Sequence, residues 1–252
     1  MKYIRYRKEG TIYYGVLESE TITRLDGNYI EGPVQKLSAV DSLDEVEVLA
    51  PTEPGQLIAI GLNYALHAEE QGKPLPEEPM MFMLSPTAVI GHNAGITLPT
   101  EDHRIDYEAE LAVVIGKEAK DLTREEALSY VFGYTCGNDV SDRYLQKKDG
   151  QYTRAKSYAT FKPLGPVIET DLDPSETPIK LTLNGELKQD SNTSDLIHSV
   201  EDILVEVTKV MTLRPGDVLM TGTPSGVGPL TPGDELEIEI EGIGKLRNYV
   251  SK

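Results

Sequence analysis

Tyr107-Glu108-Ala109-Glu110-Leu111-Ala112-Val113-Val114-Ile115-Gly116 is the stretch on which the fold turns. Leu111 to Ile115 has no polar position, the pattern of a short strand buried on both faces. Just ahead of it stand two carboxylates two residues apart. On a strand, Glu108 and Glu110 point to one face, and two such charges about 4 Å apart repel by roughly 4 kcal/mol at an effective dielectric near 20. A cation, a proton or water must relieve them. Glu237 and Glu239 have the same spacing, but there Leu236, Ile238 and Ile240 alternate with Glu235, Glu237, Glu239 and Glu241, a half-exposed strand with solvent on its charged side. The 108/110 pair instead sits at the mouth of a buried run.

A metal reading of that pair needs a third oxygen. Asp139 and Asp142, in Gly137-Asn138-Asp139-Val140-Ser141-Asp142-Arg143 after the apparent strand Val131 to Thr135, are candidates. An all-carboxylate set favours Mg²⁺, Mn²⁺ or Ca²⁺ over zinc, which prefers His or Cys. Of the four histidines, His198 lies in or before a helix, His92 in a Gly-Asn loop, and His103 near the carboxylate pair. His67 precedes Glu70 by three residues, so on a helical turn the two are neighbours. That spacing fits either a carboxylate-held general base or an ordinary surface pair. Thr221-Gly222-Thr223-Pro224-Ser225-Gly226-Val227-Gly228 lacks the Gly-Lys-Ser/Thr ending of a phosphate loop and reads as a tight loop.

Working outward, Leu57 to Ile60 is a second buried run, and Asn184-Gly185 between Lys180–Leu183 and Glu186–Lys188 is a strong hairpin signal. Pro-Gly-Asp turns at 215–217 and 232–234 bracket further strands. Glu9-Gly10 divides Tyr3–Tyr6 from Thr11–Leu17 as another hairpin, and the Pro-rich segment ending at Gly55 marks a boundary. The expected organisation is a small β-rich unit over 1–50 and a larger domain over 51–252. Two helices are expected: one opened by the capping-box pattern at Thr123–Glu126 and running to about Val131, and one capped by Ser199. The fold class is β-dominated α+β.

Composition narrows the function. Among 252 residues, 24 Lys+Arg face 42 Asp+Glu, a formal charge of −18, which argues against nucleic acid and anionic membrane as partners. The one cysteine, Cys136, excludes an intrachain disulfide and fits a reducing compartment as a small buried hydrophobe. The opening MKYIRYRKEG lacks a signal-peptide core, and no apolar run reaches membrane-spanning length, so a soluble cytoplasmic protein is expected.

These pieces together resemble the fumarylacetoacetate hydrolase family. The likeness covers about residues 55 to 250 and rests on ordered motifs: Gly-Leu-Asn-Tyr-Ala-x-His-x-x-Glu at 61–70, Tyr-Glu-Ala-Glu-Leu at 107–111, Asn-Asp-x-x-x-Arg at 138–143, Ala-Lys-Ser at 155–157, Pro-Leu-Gly-Pro at 163–166, Leu-x-x-Gly-Asp at 213–217 and Thr-Gly-Thr-Pro-x-Gly-Val-Gly at 221–228. The nearest look is to the bacterial branch of 2-hydroxyhepta-2,4-diene-1,7-dioate isomerases and acylpyruvases. The resemblance implies a mixed β-sandwich roll with a small N-terminal domain, and a homodimer. It implies Glu108, Glu110 and Asp139 as ligands of Mg²⁺ or Mn²⁺, and His67 with Glu70 as a general-base dyad on a mobile lid. It further implies Lys156 as the catalytic lysine, with Arg143, Gln146 and Thr223 contacting substrate. The chain departs from many relatives at Tyr158-Ala159, where they have Phe-Asp, and at Ser85, where they have Lys. Both departures bear on specificity and leave the carboxylate set intact.

The expected activity is therefore metal-dependent chemistry on a small anionic 2-oxo acid, foremost C–C hydrolysis of an acylpyruvate. Hydroxydienedioate isomerisation and oxaloacetate decarboxylation are alternatives that share an enolate. A catalytically silent β-rich scaffold stapled by a metal is the alternative from another class.

Overall fold

The structure is a computed structural model that describes residues 1–252. In chain order the strands begin with β1 (Lys2–Lys8), β2 (Thr11–Glu18), β3 (Thr21–Leu25), β4 (Lys36–Ser42), β5 (Glu47–Val48) and β6 (Leu57–Gly61). Helix α1 (Ala65–Glu70) follows, then β7 (Met80–Leu84), β8 (Val89–Ile90), β9 (Gly95–Thr97), β10 (Ile105–Tyr107), β11 (Ala109–Ile115), β12 (Val131–Asn138) and β13 (Ser141–Asp142). Helices α2 (Arg143–Asp149) and α3 (Thr153–Lys156) lead to β14 (Lys162–Glu169), β15 (Pro178–Leu183) and β16 (Glu186–Asn192). The chain closes with α4 (Val200–Val210), β17 (Val218–Met220), β18 (Gly228–Pro229), β19 (Glu235–Ile240) and β20 (Gly244–Ser251).

The largest sheet has twelve strands along the path β4-β3-β2-β1-β14-β12-β11-β17-β6-β7, with β5 on β1 and β8 on β14. A five-stranded sheet, β16-β15-β19-β20-β9, lies against it, and β13-β10-β18 forms a small third sheet. Most pairs are antiparallel, but β17 runs parallel to β6 and β20 parallel to β9, so the sheets are mixed, in keeping with the β-dominated class. The N-terminal strands join the large sheet through main-chain pairing of β1 with β14.

Strand β11 organises the interior. Every residue from Ala109 to Ile115 is buried. Leu111, Val113 and Ile115 face the five-stranded sheet, in one cluster with Ile179, Leu181, Ile238 and Leu246. Ala112 and Val114 face the other way, among Leu57, Ala59, Val218 and Met220. Period-two alternation thus feeds two separate cores from one apolar run, which is why the run has no polar position. Both hairpins form as two-residue turns with positive φ at both central residues, Glu9-Gly10 and Asn184-Gly185, joining Lys8 to Thr11 and Leu183 to Glu186. The strand of alternating glutamates buries Leu236, Ile238 and Ile240 only.

Helices depart from expectation in three places. Ser199 caps α4 with a reciprocal bond to Asp202, as its pattern requires. The Thr123 pattern yields turns and a short 3-10 helix, Ala127–Tyr130, in place of an α-helix to Val131. Glu126 does reach back to the Thr123 N–H at 2.9 Å, but Tyr130 is already held by the Gly116 N–H at the start of β12, leaving no room for a second α-turn. Helices α2 and α3 had no expectation attached to them. No helix is long and apolar enough to cross a membrane.

Candidate metal centre and its cavity

Register builds the acid cluster. Ala109 pairs with Asn138 and Glu110 with Gly137, and the Asp139 N–H donates to Glu108 O at 2.9 Å. Asp139 is thereby set beside the two glutamates, and ligand atoms of Glu108, Glu110 and Asp139 all lie within 4.8 Å of one another. All three are buried. The second candidate, Asp142, is elsewhere: its Oδ1 caps α2 through the Leu145 N–H at 2.9 Å, and its Oδ2 pairs with His103 Nδ1 at 2.6 Å. Both oxygens are engaged away from the triad, so neither Asp142 nor His103 belongs to it.

Three cations surround the carboxylates. Lys156 Nζ lies 2.8 Å from Glu108 Oε2 and 2.5 Å from Asp139 Oδ2. Arg143 pairs with Glu108 Oε1, with Asp106 at 2.8 Å and with Gln146 Oε1 at 2.8 Å. Lys162, 0 % exposed, donates to the carbonyls of Val140 and Phe161 and approaches Asp139 Oδ1 at 2.7 Å. That last contact is an ion pair between two buried groups.

The titration of these groups follows from their setting. Burial raises the Glu108 carboxyl, but Arg143 and Lys156 outweigh it and bring it down to about 2. Glu110 is raised well above the usual carboxylate range by burial and then by the charges of Asp139 and Glu108. Lys162 is lowered to about 8, burial prevailing over the pull of Asp139. Glu110 is thus the member short of positive charge, its one partner here being the Gly222 N–H at 2.8 Å. A hard, oxygen-only donor set with one under-compensated carboxylate suits a hard divalent cation.

A cavity of about 210 Å³ opens above the cluster, lined by Glu108, Glu110, Arg143, Gln146, Lys156, Thr223 and His67. A larger one of about 580 Å³, between the N-terminal strands and the 91–94 turn, holds no carboxylate cluster. His67 reaches the smaller cavity from α1. Its Nδ1 is 2.8 Å from Glu70 Oε2, while Glu70 Oε1 accepts the Gly226 N–H at 3.2 Å, so one carboxylate joins the imidazole to the Gly-rich loop. Glu70 itself lies behind the imidazole and does not line the cavity. The base of α1 is fixed by Asn63, which donates to the carbonyls of His198 and Thr221 at 3.0 and 2.8 Å and accepts the His198 N–H at 2.9 Å. His198 precedes α4 and contacts Pro76 O; His92 accepts the Arg247 N–H.

Eight of the nine expected residues therefore meet at or immediately around one cavity, and Asp139 lies just beneath it, under Lys156. Four further residues had no expectation attached to them. Asp106 orients Arg143, and Lys162 backs Asp139. Gln71 donates its Nε2 to His67 Nε2 at 2.6 Å, and Gln189 holds Thr223. Asp106 had a usable signal, being two residues before Glu108 in the same run.

Comparison with known proteins agrees with this picture. The fumarylacetoacetate (FAA) hydrolase C-terminal family matches residues 56–251, and the Rv2993c-like N-terminal family matches residues 1–51. The chain belongs to the fumarylacetoacetate hydrolase family. An uncharacterized protein of Archaeoglobus fulgidus is 48 % identical over 250 residues, covering 98 % of this chain and 95 % of its own. The mitochondrial oxaloacetate tautomerase Fahd2a of Rattus norvegicus is 40 % identical over 218 residues, 82 % of this chain and 70 % of the relative. Among solved structures, 5-carboxymethyl-2-hydroxymuconate delta-isomerase from Mycobacterium smegmatis superposes with a TM-score of 0.93 at 40 % identity, covering 100 % of this chain and 99 % of that one.

Proposed function

We propose that the protein is a divalent-metal-dependent enolising enzyme for a small 2-oxo acid, with keto–enol tautomerisation or double-bond isomerisation as the net reaction. The observation that carries the reading is the convergence of a carboxylate triad, two cations and an imidazole–carboxylate pair on one small cavity. A divalent ion held by Glu108, Glu110 and Asp139 would supply a Lewis acid for the 2-oxo group. Arg143 and Lys156 offset the acid's negative charge, which lets a chain of formal charge −18 bind an anion. With Nδ1–H donated to Glu70, His67 has its Nε2 lone pair on the cavity side, held by the Gln71 amide until substrate displaces it; that lone pair then takes the proton at C3 and returns it to the oxygen or to the far carbon. The tautomerase and isomerase relatives support placing proton transfer ahead of the C–C hydrolysis expected from sequence.

Acylpyruvate hydrolysis is the second reading, favoured by one observation. Glu70 is 46 % exposed on its side chain, so the dyad has access to a water that it could activate against a distal carbonyl. The deciding experiment assays oxaloacetate, acetylpyruvate, fumarylpyruvate and 2-hydroxyhepta-2,4-diene-1,7-dioate with Mg²⁺ and Mn²⁺, following enol absorbance and released pyruvate separately. Loss of enol absorbance without pyruvate supports enolisation; stoichiometric pyruvate from an acylpyruvate supports hydrolysis. Turnover that survives Glu108→Ala would remove the metal cluster from either reading.

A further inference from the structure

Gln189, on β16, is 0 % exposed and is not among the residues given a reactive role above. Its Oε1 accepts the Ala109 N–H at 3.0 Å; its Nε2 donates to Pro224 O at 2.8 Å and to Thr223 Oγ1 at 2.9 Å. The orientation of this amide follows from its backbone partners alone. An N–H only donates and a carbonyl only accepts, so the oxygen faces Ala109 and the nitrogen faces Pro224. The nitrogen is a pure donor, and Thr223 Oγ1 is therefore compelled to accept. No acceptor within the protein takes the Thr223 hydroxyl proton, and Thr223 lines the cavity with Glu108, Glu110 and Lys156.

We propose that Gln189 is a positioning residue that makes the Thr223 hydroxyl a dedicated hydrogen-bond donor to an anionic oxygen of the bound acid. A free threonine hydroxyl rotates and can donate or accept; here its acceptor side is occupied from behind by a side chain with no other choice. The same amide grips Ala109, which stands between Glu108 and Glu110, so the anion donor and two of the three acid ligands are held in one hydrogen-bonded frame. The loop itself has little freedom to reposition. Gly226 sits at φ +92°, and a Cβ there would meet Lys188 O at 2.1 Å. The inference rests on the reading that the cavity takes a 2-oxo acid.

The test is a double-mutant cycle read by calorimetric titration of oxalate in the presence of Mg²⁺, with Gln189→Glu, Thr223→Val and the double variant. A carboxyl at 189 no longer presents an obligatory N–H donor, so nothing compels Thr223 Oγ1 to accept and its proton is free to turn inward, away from the ligand. A hydrogen bond to a charged group is worth roughly 10- to 100-fold in affinity, so each single variant should weaken oxalate by at least about tenfold. The double variant should be no weaker than the worse single one, and Thr223→Ser should bind nearly as wild type does. Gln189→Met, which keeps the volume without polar atoms, carries the same cycle if the glutamate variant does not fold. Equal losses from the Gln189 change with Thr or Val at 223 would overturn the inference while leaving the 2-oxo acid reading standing. If the wild type with Mg²⁺ fails to bind oxalate, that reading falls and the inference with it.

Discussion

Lys156→Met offers a direct probe of the acid cluster. The buried ammonium lies within 2.8 Å of Glu108 and 2.5 Å of Asp139 at the floor of the cavity, so its removal leaves two buried carboxylates short of a counter-charge. Breaking a buried pair from one side costs about 3–5 kcal/mol. At this chain length each kcal/mol moves Tm by roughly 2–4 °C, which makes the expected loss about 6–20 °C in EDTA. A divalent ion draws on the same carboxylates. In the wild type it competes with the Lys156 ammonium for them, whereas in the variant it meets no such rival. An ion that binds only the folded state at 100 times its Kd adds about 2.7 kcal/mol, and the variant should gain more than the wild type does. Differential scanning fluorimetry in EDTA and in saturating Mn²⁺ reads both numbers, and the gap between the proteins should shrink by at least half when metal is added. A gap that is the same with and without Mn²⁺, or a variant that melts like wild type in EDTA, would refute the argument.

Two other outcomes are expected. Asp41 accepts from Arg24 at 2.6 Å, Tyr6 at 2.6 Å and Lys8 at 2.9 Å, and Arg24 foremost holds its carboxyl well below the usual range. Its stabilisation is complete above about pH 4, the unfolded value, and is lost as pH falls below that. Asp41→Asn should therefore cost roughly 1–3 kcal/mol at pH 7, less than for a fully buried pair because Arg24 and Lys8 stay partly in solvent. In urea titrations that cost should shrink towards pH 3, and a cost independent of pH would count against the assignment. Gln71→Met removes the amide that engages the His67 lone pair before substrate arrives, so KM should fall roughly two- to tenfold. An unchanged KM would mean that the contact does not compete with substrate.

Much of the fold was legible because its strongest signals are local. An apolar run feeding two cores, two hairpins set by positive-φ pairs and a Ser-capped helix each depend on residues close in sequence. The Thr123 helix failed for a non-local reason: β12 claims the chain at Tyr130. At the site, Glu108 and Glu110 announced themselves by spacing, while the choice of Asp139 over Asp142 depended on register across β11 and β12 and on the start of α2. Lys162 was illegible for a related cause. It opens β14 with no motif to mark it, and only the crossing of that strand behind Asp139 makes its burial meaningful. Gln189 is 80 residues from Ala109, and a lone amide in a hairpin strand carries no periodic mark.

The clamp at Asn63 has a wider consequence. All its side-chain polar atoms are bound to the backbone at 198 and 221, so the chain enters α1 from a fixed post, and the following stretch to Met80 is largely exposed. The acid cluster lies wholly on other segments. Substitutions or insertions between 71 and 79 can therefore reshape what covers the cavity without disturbing the carboxylates beneath it. Such a division allows selection to alter substrate range at small cost to folding, a form of modularity within a single continuous sheet.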